Sequence, residues 1–289
     1  MRCACGVSHA SHFFFLAVAA IAALTLTALS ASVQSASAAS TLYNWTGFYA
    51  GVNAGYGWNN HSVDLTGDAS PGAGSRILNT AFGINSTNAM PYSPSLDANG
   101  FVGGGQLGYN WQFARSWVAG LEADIQYSAV RGDFAVAGTV PGISYQLSVE
   151  QRLNWFGTVR GRLGVLVTER ILLFGTAGLV YGRTEANANI ANLRPLLINE
   201  AFNTTLNCPA SQVCIAGSNS KISTGWTAGG GVEWAMWSKT TLKIEYLHID
   251  LGDQSVTLTA QSPATGNGFA TAKITNSFDI VRAGLNFRF

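Results

Sequence analysis

Eight stretches of this chain alternate apolar and polar residues with period two, the spacing that sends successive side chains to opposite faces of a β-strand. In the clearest, Trp117, Ala119, Leu121, Ala123, Ile125 and Tyr127 share one face, and Glu122, Asp124, Gln126 and Ser128 share the other. The first sets Phe48, Ala50, Val52, Ala54, Tyr56 and Trp58 against Tyr49, Asn53 and several glycines. The second opposes Phe101, Leu107, Tyr109, Trp111 and Phe113 to Gln106, Asn110 and Gln112. The fourth opposes Leu153, Trp155, Val159, Leu163 and Val165 to Asn154, Thr158, Arg160 and Arg162. The fifth, about 171–183, is apolar on both faces and leaves its parity open. In the sixth, Ile222, Trp226, Val232 and Trp234 oppose Ser223, Thr227 and Glu233. The last two oppose Leu242, Ile244 and Tyr246 to Lys243 and Glu245, and Val281, Ala283, Leu285, Phe287 and Phe289 to Arg282, Asn286 and Arg288.

Each stretch is long enough for a tilted strand to cross a bilayer, which takes roughly 9–11 residues. Long connections at 59–99, 129–151, 184–220 and 249–276 alternate with short ones near 114–116, 168–170 and 237–239. Long loops at one end and tight turns at the other predict an all-β fold: an eight-stranded antiparallel up-and-down transmembrane β-barrel. Its long loops would be extracellular and both ends of the strand array periplasmic.

Period two alone also fits a soluble barrel, which buries its apolar face. Three observations favour apolar-outside. The central apolar face carries no Lys, Arg, Asp or Glu, and Asp279, which has outward parity, falls near the outer rim. A lipid-facing Arg or Lys at the midplane costs about 2–4 kcal/mol, which gives that absence a cause. Aromatic residues gather at the strand ends, as interfacial girdles do. The polar face is small and rich in glycine, of which the chain has 33, and suits a crowded lumen. This facing predicts that Leu121→Arg hinders insertion and that Glu122→Gln is tolerated.

Only 11% of residues are charged and the net charge is +1, so no overall field draws nucleic acid. Residues 1–38 read as a secretory signal peptide: Arg2, an apolar run from Phe13, then Ala36-Ser37-Ala38. A retained membrane helix is the alternative. Residues 39–289 would form the barrel domain. Cys208 and Cys214 remain after cleavage and, in an oxidising compartment, are expected to form a disulfide worth roughly 2 kcal/mol at most, with two free thiols as the alternative.

The inward parity gathers Glu122, Asp124, Glu233 and Glu245 with Arg160, Arg162, Lys243, Arg282 and Arg288. Charges in a low-dielectric lumen must pair, so the set reads as a neutralising polar core or as the lining of a narrow pore. Gly103-x-Gly105-x-x-Gly108 matches a dinucleotide fingerprint as a string, but no helix pattern follows it. His61 with Ser62, and His248 with Asp250, lie toward the outer rim, where a lipid hydrolase would place them. No spacing fixes these residues against one another, and no catalytic residue, metal site or cofactor is expected.

Several strings resemble the alphaproteobacterial outer-membrane β-barrel proteins, the RopB-like, porin-family surface antigens. They are Trp45-Thr46-Gly47-Phe48-Tyr49-Ala50-Gly51, 100–113, Gly120-Leu121-Glu122-Ala123-Asp124, 155–164, 225–233 and Lys243-Ile244-Glu245-Tyr246-Leu247. The resemblance covers nearly all of the mature chain. It implies a cell outer membrane location in a Gram-negative bacterium, a role in envelope integrity and display of surface loops. Some family members are porin-like, or bind haem or host surfaces. The family supplies no catalytic residues. Phe287 and terminal Phe289 resemble the C-terminal signal read by the barrel-assembly machinery; that machinery, outer-membrane lipid and lipopolysaccharide are the implied partners. The leading expectation is a structural barrel. A narrow channel is the alternative, followed by a rim hydrolase or ligand binder.

Overall fold

The computed structural model describes residues 43–67, 95–140, 143–192, 196–197, 207–208, 212–261 and 270–289. The leader assigned to 1–38 lies outside them. Eight long strands close into one antiparallel barrel: β1 (Gly47–Gly67), β2 (Ser95–Ala114), β3 (Trp117–Val140), β4 (Ile143–Thr168), β5 (Ile171–Asn192), β8 (Gln212–Ala235), β9 (Thr240–Ala260) and β10 (Ala270–Arg288). A separate two-residue ladder joins β6 (Leu196–Leu197) to β7 (Asn207–Cys208). The barrel closes where β1 pairs with β10, from Tyr49↔Arg288 onward. Closure is what a bilayer demands, because lipid offers no partners to an open sheet edge.

Outward and inward faces separate as the alternation predicts. Phe48, Val52, Leu107, Leu121, Ile125, Leu179 and Ile244 are exposed on the outside, whereas Asn53, Gln106, Glu122, Thr158 and Lys243 are buried within. The fifth strand, open in the sequence, turns Leu173 and Leu179 out and Leu172, Phe174, Thr176 and Val180 in. The Gly103–Gly108 string lies inside β2, in register with β1 and β3.

Two expectations need correction. The first is strand length. Most of the supposed loop residues continue the wall: β3 and β4 stay paired up to Val140↔Ile143, and β5 and β8 up to Asn192↔Gln212. Strands of 19 to 26 residues, at about 3.3 Å per residue and tilted ~40°, make a wall roughly 50–65 Å tall over a hydrocarbon core of about 30 Å. The facing rule reverses in the upper part. There Val63, Leu65, Leu96, Leu147, Val149, Val256 and Ile274 point inward and are buried. Arg131, Asp133, Arg152 and Lys273 stand exposed outside. Above the lipid the outside meets water, so the apolar face turns in, as in any water-facing barrel. A search for outward apolar residues ends where that reversal begins.

The second correction is Leu153, assigned to the outer face with Trp155. It is 1% exposed and inside. The β4–β5 register skips Asn154, passing from Leu153↔Thr184 to Trp155↔Arg183. One inserted residue shifts parity, so Leu153 and Trp155 face opposite ways.

Candidate functional site

The interior of the membrane-level barrel holds a closed ionic network. Glu122 and Asp124 come from β3, Arg160 and Arg162 from β4, Glu233 from β8, Lys243 and Glu245 from β9, and Arg282 from β10. Every second residue of each strand faces in, so residues far apart in sequence converge. Arg160 joins three acids: its Nη2 lies 2.5 Å from Glu122 Oε1 and 2.9 Å from Asp124 Oδ2, and its Nη1 lies 2.6 Å from Glu245 Oε1. Lys243 Nζ donates to both oxygens of Glu122, at 2.8 and 2.9 Å. Arg282 Nη2 bridges Asp124 at 2.8 Å and Glu245 at 2.7 Å.

Nearer the tight turns, Arg162 Nη2 meets Glu233 Oε2 at 2.6 Å, and its guanidinium lies over the Phe174 ring, 4.3 Å from the centroid. Thr241 Oγ1 and Asn286 Nδ2 donate to Glu233 Oε1, and Thr158 Oγ1 donates to Asp124. Each charged side chain of the network is 0–2% exposed. Four acids face four bases at this depth, so the network is neutral as a whole. That is the arrangement in which buried charge survives.

Arg288, grouped with these residues by parity, stands apart. Its Nη2 donates to the Ser238 carbonyl at 3.2 Å and its guanidinium lies over Tyr43 at the turn end of the barrel. The last inward position of a strand is at the rim rather than in the core. One member was not anticipated: the Tyr49 hydroxyl donates to Glu122 Oε2 at 2.6 Å and accepts from Arg162 Nη1 at 3.2 Å. Its inward parity was legible; its part in the network was missed because the inward set was gathered from charged residues, and a phenol carries no charge.

Apolar clusters close the network at both ends. On the turn side, Trp45, Val118, Leu172, Phe174 and Ala235 pack together, and Trp45 Nε1 donates to the Glu169 carbonyl at 3.3 Å. On the other side, Val102, Val130, Leu153, Phe156, Leu247, Ile249 and Phe278 fill the section above the charges.

A second polar cluster lies on the outer surface, among the outer aromatic residues. His248 Nδ1 lies 2.8 Å from Asp279 Oδ1, and Ser277 Oγ lies 3.2 Å from His248 Nε2. The Tyr246 hydroxyl also donates to Asp279 Oδ1, at 2.6 Å. The Trp226 ring packs on the imidazole with centroids 5.3 Å apart. The partner suggested by the sequence, Asp250, instead accepts from the Gly252 amide. His61 contacts Asn59 and lies outside this cluster. The side chains of Cys208 and Cys214 lie outside the described residues. The β5–β8 register does slip at Cys214, from Ile190↔Ile215 to Ala191↔Val213. Phe289 donates its amide to the Phe48 carbonyl at 3.1 Å, next to the β1–β10 seam.

The matching family model agrees with this architecture. The family model described as "Outer membrane protein beta-barrel domain" matches residues 21–289. The "31 kDa outer-membrane immunogenic protein" of Brucella melitensis is 34% identical over 249 residues, covering 86% of this chain and 85% of that protein. The "22 kDa outer membrane protein" of Rhizobium leguminosarum bv. viciae is 28% identical over 184 residues, 64% of this chain and 68% of its own length. Among solved structures, OprG of Pseudomonas aeruginosa aligns with 86% of this chain and all of its own length, at 12% identity and a TM-score of 0.42. The chain belongs to the outer membrane protein β-barrel family and is a protein of the outer membrane.

Proposed function

We propose that the barrel is a non-conducting structural protein of the outer membrane, which adds rigidity to the envelope and holds a tall polar wall above it. One observation carries this reading: the charged lumen has almost no solvent-accessible surface, and apolar side chains fill the barrel above and below it. Ion conduction needs a continuous wetted path with sites weak enough to release the ion. Arg160, held by three carboxylates, stands across the centre of any such path. Outer-membrane lipid meets the exposed apolar belt, and lipopolysaccharide sugars would meet the exposed charges of the upper wall. The folded barrel with its closed β1–β10 seam would be the product of the barrel-assembly machinery.

Planar-bilayer recording tests the reading. Purified, folded protein should give no stepwise openings at moderate voltage, and reproducible single-channel openings would overturn it in favour of a narrow channel.

A further inference from the structure

We propose that Ser277, His248 and Asp279 form an acyl-ester hydrolase site on the outside of the wall, directed at ester-linked acyl chains of outer-membrane lipid. This goes beyond the structural role and does not depend on it.

The atoms are connected in the order that nucleophilic catalysis requires. Asp279 Oδ1 faces Nδ1 of His248, and Ser277 Oγ faces Nε2. The carboxylate places the imidazole proton on Nδ1, which leaves the Nε2 lone pair to accept the Ser277 hydroxyl. The contacts, 2.8 and 3.2 Å, are within the reach expected of a base and its nucleophile before substrate binds. Tyr246 and Trp226 hold Asp279 and the imidazole from either side.

The location suits a lipid ester. Asp279 is the cross-strand partner of Trp58 on one side and His248 on the other, within the outer aromatic girdle. That girdle sits at headgroup level, where the ester carbonyls of membrane lipids lie. Ser277 is 5% exposed beneath the imidazole, while the His248 and Asp279 side chains are 32% and 29% exposed toward the outside. The sheet is also interrupted here. Between Trp58↔Asp279 and Val63↔Ile274 the β1–β10 ladder has no register pairs, and the β9–β10 register shifts between Thr275 and Ser277. Ser277 stays in register with Asp250 of β9, but residues 275–278 lie outside the ladder to β1, and it is their amides that would have to donate to an oxyanion.

In the reaction, Ser277 Oγ attacks the ester carbonyl while its proton passes to His248 Nε2. The tetrahedral adduct breaks its bond to the lipid alcohol, which leaves with that proton. An acyl ester remains on Ser277. Water then attacks this ester, giving one proton to Nε2, and collapse returns that proton to Ser277 and releases a fatty acid. Asp279 is the positioning residue.

The test uses the full chain folded in mixed micelles with a diacyl phospholipid, with folding read by heat-modified mobility. The wild type should react with a fluorophosphonate at Ser277, located by mass spectrometry, and should release fatty acid. Ser277→Ala should abolish both. His248→Gln should lower kcat/KM about a hundredfold or more. Asp279→Asn should lower kcat at unchanged KM, a split that a purely structural role would not produce. Ser62→Ala, an exposed serine of β1, should behave as wild type. An unlabelled wild type, an adduct on another residue, or fatty acid release that survives Ser277→Ala would each overturn the proposal. None of these results changes the conductance expected of the sealed barrel.

Discussion

Leu121 and Glu122 are consecutive in sequence and sit in opposite solvents: Leu121 is 67% exposed on the lipid side, and Glu122 is 2% exposed in the lumen, bonded to Arg160, Lys243 and Tyr49. A single peptide bond thus spans the boundary between hydrocarbon and a buried ionic core.

Substitutions at this pair should fail in different ways. Leu121→Arg places a charge in lipid at about 2–4 kcal/mol and should lower the yield of inserted barrel. Glu122→Gln should insert, yet it removes the anion shared by Arg160 and Lys243, and breaking a buried pair costs about 3–5 kcal/mol. From facing alone the second change looked harmless; the contacts say otherwise. Folded yield in liposomes and the midpoint of heat-modified mobility separate the two effects, and equal insertion defects would contradict the facing assignment.

Arg162 and Glu233 should show strong coupling. Arg162→Met or Glu233→Gln alone strands its partner in a site with almost no solvent contact, at about 3–5 kcal/mol each. The double variant should lose less than the sum, by about 0.5–3 kcal/mol. A double-mutant cycle in urea-driven unfolding from lipid would check this, and strict additivity would mean the pair is not formed.

Gly178 gives the main chain of β4 room to approach. A methyl at that position would lie 2.1 Å from the Val159 carbonyl and 2.7 Å from Arg160 Cα, backbone atoms that cannot swing aside. Gly178→Ala should therefore destabilise the barrel by about 1–3 kcal/mol, as overpacking does. Gly252, at a positive φ of 73° with no atom within 4 Å of the added methyl, should suffer from backbone strain rather than crowding. Unfolding midpoints of the two alanine variants, compared with those of the same sites changed to serine, test this.

Acid should loosen the upper wall slightly. The hydrogen bond from Lys273, 2.8 Å away, holds the Asp253 carboxyl below its ordinary range. A depressed carboxyl contributes stability above its unfolded pKa, and that contribution disappears as pH falls through the lower native value. Asp253→Asn should flatten the pH dependence of amide exchange in upper β9 below about pH 4, near the ordinary aspartate value. The effect should be small, because the pair is exposed and screened by water.

Strand number, closure and facing were legible in the chain itself, because lipid imposes one rule on every spanning segment: apolar out, charge in, no open edge. Glu122, Asp124 and Arg160 could be assigned to one interior from parity alone, since a strand has just two faces. Which acid meets which base was not legible. That depends on strand stagger around the ring, which brings Arg160 of β4 against Glu245 of β9 across 85 positions of sequence. The height of the wall was hidden because the facing rule reverses outside the bilayer, and the parity of Leu153 because one bulged residue carries no compositional mark. The same holds for Ser277, His248 and Asp279: outward parity could be read for Asp279, but the hydrogen-bonded order of the three depends on the pairing of β9 with β10. Local alternation records the solvent around each residue; only the closed sheet decides its neighbours.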